Sequence, residues 1–345
     1  MKFYYAGLNN SYLFSEKHRL VPIVDKFTEI LIDDISKVEI GWNYFLIWKN
    51  EGLYITHSNS ENVTNVDELL ELLQSPDNTG DIFKDAAPGK DSILLLSNNH
   101  KLWQYKYYEK LWKLVPTLIS TQKDSEHEYL VKVDQGNAAL ALTNLGRAFS
   151  IPLLLDMPKR IKFVDVACGF DHTIFLTNNG EVFSMGIGTR GQLGHNDLED
   201  CDNPKEICAL AGLRIVKISA GGWHSAVLTD QGDLYSWGWN TNGELGIEGC
   251  SSDVQAIPVP VDFKNEKGEI IESNVKDVQC GNAFTICLME DKSFWGCGSN
   301  KYGQLGMDRK MLTSTRNFIK LDVNFGSRTV KNFKCREWGT VITVD

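Results

Sequence analysis

The chain has 345 residues, with 35 basic and 45 acidic side chains, a formal charge of −10 and 42% hydrophobic residues. That balance excludes a disordered tail and a cationic nucleic-acid arm, and leaves enough chain to bury a large core. No apolar run approaches the roughly 20 residues needed to span a bilayer, so no membrane is expected. The first ten residues hold no signal-like stretch, so the protein is expected inside the cell with its eight cysteines as free thiols.

In chain order, Phe3-Tyr4-Tyr5-Ala6-Gly7-Leu8-Asn9 reads as a strand ending at a glycine. Residues 38–41 with Gly52-Leu53-Tyr54 form the first weak copy of a unit that recurs down the chain. Residues 65–74 read as a short inserted helix, capped by Asn65, with Val66, Leu69, Leu70 and Leu73 on one stripe. It packs on the body or meets a partner. Further weak copies centre on Gly89 and Gly136. Residues 116–128 read as a long loop, and residues 247–274 as a second, polar and containing Pro258 and Pro260.

Three strong copies follow. Their glycines stand at Gly169, Gly221 and Gly281, each with a second glycine 17 residues on, at Gly186, Gly238 and Gly298. Each copy ends in Gly-Gln-Leu-Gly or Gly-Glu-Leu-Gly, at residues 191–194, 243–246 and 303–306. The last copy is anchored at Arg336 and stops after two strands; its missing part matches residues 3–9. Seven anchors, at 41, 89, 136, 169, 221, 281 and 336, therefore predict an all-β chain: a seven-bladed β-propeller covering residues 1–345. Its ring is closed by the N-terminal strand joining the C-terminal blade, which leaves no free sheet edge.

Several motifs find a structural reading within this frame. The segment Gly186-Ile187-Gly188-Thr189-Arg190-Gly191 fits a dinucleotide fingerprint, but no βαβ unit surrounds it and the next blades repeat the slot as a turn. Gly188, Asn240, Asn300 and Asn9 share one position, which suggests a left-handed backbone there. His172 and His224 share another, and read as buried histidines bonding backbone between strands rather than as a metal site or acid–base pair. Cys168, Cys280 and Cys335 occupy a slot filled elsewhere by Ala220, a demand for small apolar residues. No catalytic constellation, metal set or cofactor motif emerges. Trp223 and Trp239 lie near blade ends, where aromatic residues serve either as contact anchors or as core.

The pattern of Cys-Gly-x-x-His-Thr, then Gly-x-Val-Phe-Ser, then Trp-Gly-x-Asn-x-x-Gly-x-Leu-Gly resembles the regulator-of-chromosome-condensation repeat family, strongly over residues ~160–310 and weakly elsewhere. The resemblance implies a non-enzymatic scaffold of nucleus and cytoplasm. The expected partner is a JmjC-type 2-oxoglutarate oxygenase, with histones as further candidates and effects on histone methylation and mitotic chromosomes. The alternative it carries is nucleotide exchange on a small GTPase. The acidic balance argues against direct DNA binding. Arg147-Ala148-Phe149-Ser150-Ile151-Pro152 also resembles an Arg-Ala-Tyr-x-x-Pro stretch of relatives in which the arginine is a substrate of that oxygenase. Arg147 is thus a hydroxylation candidate, against the plainer reading of an arginine in a surface ion pair. It lies in a blade with the shortest anchor spacing, 33 residues, and so a trimmed one.

Overall fold

The computed structural model describes all residues except 12, 17–18, 51, 57–68, 77–80, 117–127, 159, 248, 250–251, 266 and 272. The segments richest in β-branched and large apolar residues, such as His172–Thr177, His224–Thr229 and Phe284–Met289, are buried at every position. A strand buried on both faces must lie between layers. Here the layers are neighbouring blades: the described strands form seven four-stranded antiparallel sheets and one small hairpin, Ser15–Glu16 with Arg19–Leu20. The seven inner strands are Ile35–Ile40, Phe83–Pro88, Leu130–Gln135, Phe163–Cys168, Ile215–Ala220, Val275–Cys280 and Val330–Arg336. Six end just before their anchor glycines, and the seventh ends on Arg336. Blades are numbered 1 to 7 in that order.

Ring closure follows the sequence reading. Lys2–Leu8 pairs with Gly339–Val344, in register from Lys2 opposite Val344 to Gly7 opposite Gly339. The amino-terminal part supplies two strands of blade 7 rather than one, because Ile23–Glu29 adds the outer strand. Phe3 and Tyr5 are buried, and Tyr5 meets Phe45 of blade 1 edge-on at 4.9 Å. The closing strand is therefore part of the core.

The Gly-Gln-Leu-Gly turns have a clear physical role. Gly191 and Gly194 adopt φ of 72° and 76°, a region that disfavours side chains. The buried Gln192 folds back to accept the N–H of Arg190 at 2.8 Å; Glu244 accepts that of Asn242 at 2.7 Å, and Gln304 that of Tyr302 at 2.8 Å. The carbonyls of Gln192, Glu244 and Gln304 then accept hydroxyls from the following blade: Ser225 at 3.3 Å, Thr285 at 2.7 Å and Thr340 at 2.8 Å. Each turn is thereby bonded to the next blade.

Three expectations need correction. Residues 65–68 lie outside the described residues, but in the remainder of the expected helix Leu70–Leu72 form a strand. It pairs with Gly52–Thr56, so the unsatisfied edge of blade 1 overrides the helical spacing of the leucines. Seven residues of the expected loop 247–274 are likewise strand, Val254–Pro260, the outer strand of blade 5, where an edge tolerates proline. The loop at 116–128 falls almost wholly outside the described residues. Finally, the shared Gly/Asn slot is not left-handed. Asn300 and Asn9 instead brace their loops with side-chain amides, each donating twice to backbone carbonyls; Asn240 and Asn300 also accept the N–H of Leu245 and Leu305. At Gly188 a β-carbon would lie 1.9 Å from the Glu199 carbonyl oxygen. The left-handed residues stand two positions earlier, at Gly186, Gly238 and Gly298, with φ of 111°, 108° and 92°.

Candidate interaction face

The anchor glycines sit where inner strands crowd the ring centre. A β-carbon on Gly169 would meet the His172 ring at 2.2 Å and the Gly221 carbonyl at 2.5 Å. On Gly221 it would meet His224 at 2.2 Å and the Gly281 carbonyl at 2.4 Å, and on Gly281 the Phe284 ring at 1.9 Å. Close approach between blades therefore fixes these residues as structural.

The histidines are structural too, with different partners from those expected. His172 Nε2 lies 2.8 Å from the Ser225 hydroxyl and His224 Nε2 lies 2.9 Å from that of Thr285, each on the next blade. Both hydroxyls already donate to carbonyls, so each imidazole donates at Nε2. Burial pulls the pKa down to about 4 for His172 and about 3 for His224, keeping both rings neutral. Blade 6 fills the same slot with Phe284. Cys168, Cys280 and Cys335 are thiols held protonated by burial, Cys280 with its pKa pushed up to about 12. Among the described residues, no group of three or more His, Cys, Asp or Glu could hold a metal ion.

Four residues before each anchor, the inner strands carry Lys37, Asp85, Lys132, Asp165, Lys217, Asp277 and Asn332. Positive and negative alternate round the ring, and three ion pairs join neighbouring blades: Lys37–Asp85 at 2.8 Å, Lys132–Asp165, and Lys217–Asp277 at 3.0 Å. Burial alone would lower the pKa of Lys132, but Asp165 together with Asp134 and Asp85 outweighs it and the ammonium is favoured. At one mouth of this channel Arg336 replaces the anchor glycine and reaches across the ring. It donates to Asp134 at 3.1 Å, to the Pro88 carbonyl at 2.8 Å and to the Gln135 carbonyl. Burial opposes its charge, but Asp134 and Glu337 raise its pKa overall.

Around the same mouth, the first and second positions after the anchors place aromatic residues side by side, joined by Tyr302 just before the turn at Gly303. Trp42 packs on Trp338 at 4.5 Å and on Phe170 at 6.0 Å; Phe170 meets Trp223 edge-on at 5.2 Å, and Trp338 meets Tyr302 at 6.1 Å. All are half-buried. The Trp223 indole N–H donates to Asp171 at 3.1 Å, and Asp171 also accepts from Asn137 at 2.6 Å, which fixes the ring. Just before the first glycine of its Gly-Gln-Leu-Gly turn, Arg190 reaches over the next blade, 4.3 Å from the Trp223 ring and 5.4 Å from that of Trp239. Lys90 covers Trp42 at 5.4 Å and Lys301 covers Tyr302 at 5.7 Å. The structure thus joins Trp223 and Trp239 at one half-open platform through Arg190, a residue that sequence reasoning passed over as turn filler.

Arg147 lies at the opposite end of blade 3, just before Ala148–Ser150. It donates twice to Glu128, once at 2.8 Å, and Glu128 is 2% exposed at its side chain. It is an ion-pair arginine in this conformation. The blade is trimmed as expected, its two outer strands holding three and two residues.

Comparison with known proteins places these features in a family. Two models described as Regulator of chromosome condensation (RCC1) repeat match, one at residues 179–228 and 231–288, the other at 163–192, 215–244 and 275–304. Mouse RCC1 domain-containing protein 1 is 28% identical over 314 residues, covering 79% of this chain and 78% of the relative. The human E3 ubiquitin-protein ligase HERC2 is 39% identical over 162 residues, but the match spans 46% of this chain and only 3% of the ligase. Among solved structures, human WBSCR16 superposes with TM-score 0.76 at 16% identity over 100% of both chains. Saccharomyces cerevisiae Prp20p, described with its binding to Gsp1p and histones, gives 0.75 at 17% identity over 99% of this chain and 91% of that one. At such identities the likeness is one of fold. The chain is thus a seven-bladed propeller in which blades 4 to 6 match the regulator-of-chromosome-condensation repeat, with the same four-stranded plan continued round the ring.

Proposed function

We propose that the chain is a non-enzymatic protein-interaction scaffold whose contact surface is the aromatic face around the channel mouth. One observation carries this reading. The positions the fold requires repeat from blade to blade, whereas the position after the anchor reads Trp42, Lys90, Asn137, Phe170, Gly222, Asn282 and Glu337. The rings there are not a demand of the propeller, and half-exposed aromatic residues on a rigid frame are what interfaces use as anchors.

Within that role, the reading the family resemblance supports is a chromatin-associated adaptor of nucleus and cytoplasm. Its partner is a JmjC-type oxygenase, with effects on histone methylation and mitotic chromosome behaviour. Hydroxylation of Arg147 belongs to the same reading and requires the Glu128 pair to open first. The test is affinity capture from cell extract with the wild-type chain and with a Trp42→Ala/Trp338→Ala variant, followed by mass spectrometry. The wild type should retain the oxygenase and histones, and the variant should lose them. Equal capture by both removes the face from the account. Accelerated nucleotide release from a small GTPase would replace the adaptor reading with exchange activity.

A further inference from the structure

We propose that Arg190, lying over the rings of Trp223 and Trp239, is a recognition site for a carboxylate on an acidic peptide segment of a partner protein; this rests on the interaction-face reading and gives that face its partner chemistry.

The three cations over this face share one arrangement. Lys90, Arg190 and Lys301 each lie against an aromatic ring, and among the described residues none of them forms an ion pair. The other cations that lie over rings, Lys37 and Arg147, are paired to acids. In a chain of net charge −10, these three combine a ring contact with an unpaired charge at one mouth.

Arg190 is the most fixed of the three. Its backbone N–H is bound by Gln192 at 2.8 Å, and Trp223 beneath it is pinned by Asp171. No guanidinium N–H of Arg190 is taken by another described residue. Stacking occupies the flat faces of a guanidinium and leaves its N–H edge open, and that edge matches a carboxylate in a two-pronged bond. Asp171, the acid beneath Trp223, already accepts from Trp223 and Asn137 and forms no bond with Arg190. Two acids in the loop that follows Arg190 are also engaged: Asp200 accepts the Gly188 N–H at 2.9 Å, and Asp197 lies 4.0 Å from Lys205.

The row Trp223, Phe170, Trp42, Trp338 continues from Arg190 as an apolar track. Acidic residues interleaved with aromatic or aliphatic ones fit this combination. A nucleic-acid strand fits less well, because it needs many phosphates neutralised and meets long-range repulsion from an acidic protein.

The experiment is fluorescence anisotropy on the full chain at low salt. The probe is a labelled eight-residue peptide alternating glutamate with leucine and phenylalanine, and the control has glutamine for every glutamate. The glutamate peptide should bind in the range of about 1–100 µM, at least about tenfold tighter than the control. Arg190→Ala should weaken it by at least about tenfold, with Arg190→Lys falling between. Equal binding of the two peptides, or an unchanged affinity in Arg190→Ala with a wild-type melting curve, overturns the proposal. So does an oligothymidine that binds more tightly with the same dependence on Arg190. If Arg190→Ala leaves cellular capture intact while Trp42→Ala/Trp338→Ala abolishes it, the face stands and the carboxylate site falls.

Discussion

Glu244 is a carboxylate in a position that the neighbouring blades fill with an amide. Gln192 and Gln304 make the same turn with the same backbone bond, and all three side chains are buried. Burial pushes the pKa of Glu244 up to about 7 from an ordinary 4.5, against the help of its backbone hydrogen bonds. A gap of about 2.5 units at 1.36 kcal/mol each corresponds to about 3 kcal/mol of cost to the ionised form. Between pH 4.5 and about 7 the folded chain holds a proton that the unfolded chain has released. Stability therefore falls as pH rises through that window, and the full penalty is felt above it. Glu244→Gln keeps the bond to Asn242 and removes the charge. Allowing for relaxation and water entry, it should stabilise the protein by about 1–3 kcal/mol near pH 8, with the gain shrinking toward zero near pH 5. Urea unfolding curves of both proteins across this range measure the difference directly. A gain that is independent of pH, or a loss at pH 8, would refute the reasoning.

Three further outcomes are expected. His224 carries a depressed pKa of about 3, so its contribution is present above pH 6.5 and lost as pH falls toward that value. His224→Phe, which copies Phe284, should unfold at lower pH than the wild type despite losing about 1 kcal/mol of hydrogen bonding near neutrality; an unchanged acid midpoint by circular dichroism contradicts this. Tyr5→Ala should cost about 3–5 kcal/mol, because the ring fills the junction of blades 7 and 1 and its hydroxyl donates to the Leu8 carbonyl at 2.6 Å. A loss below about 1 kcal/mol in denaturant unfolding would deny the closing strand its place in the core. Arg147→Ala should cost about 1–3 kcal/mol by leaving Glu128 buried without its partner, and a second change, Glu128→Gln, should recover most of it; absence of recovery in the double-mutant cycle would place the loss elsewhere.

Six of the seven anchors were readable because glycine is forced where inner strands crowd the axis, and in the three strong copies a second glycine recurs 17 residues on; the seventh anchor, Arg336, was placed by the strand before it. Outer strands left a weaker trace. Leu69, Leu70 and Leu73 fit a helix as well as a strand, and only the open edge of Gly52–Thr56, far from them in the chain's logic, decides. Pro258 and Pro260 suggested a loop because proline is unwelcome in a central strand, but Val254–Pro260 is an edge. Asn240 and Asn300 were assigned to backbone geometry, while their side chains carry the bonds. The alternation from Lys37 to Asp277 was present in the letters, four before each anchor, but acquires meaning only once blades are neighbours on a ring. Arg190 left no signal at all, since its stacking depends on two tryptophans of the following blade.

An alternating circle of charges has a parity. Seven is odd, so one member must be neutral, and Asn332 of blade 7 takes that place beside the seam where the two ends of the chain meet. Excising blade 4 alone would set Lys132 beside Lys217, and excising blade 5 alone would set Asp165 beside Asp277, each a like-charge contact near the axis. Excising both would bring Lys132 to Asp277 and preserve the alternation. In electrostatic terms the repeating unit of this propeller is the blade couple held by one lysine and one aspartate, and the single blade is half of it.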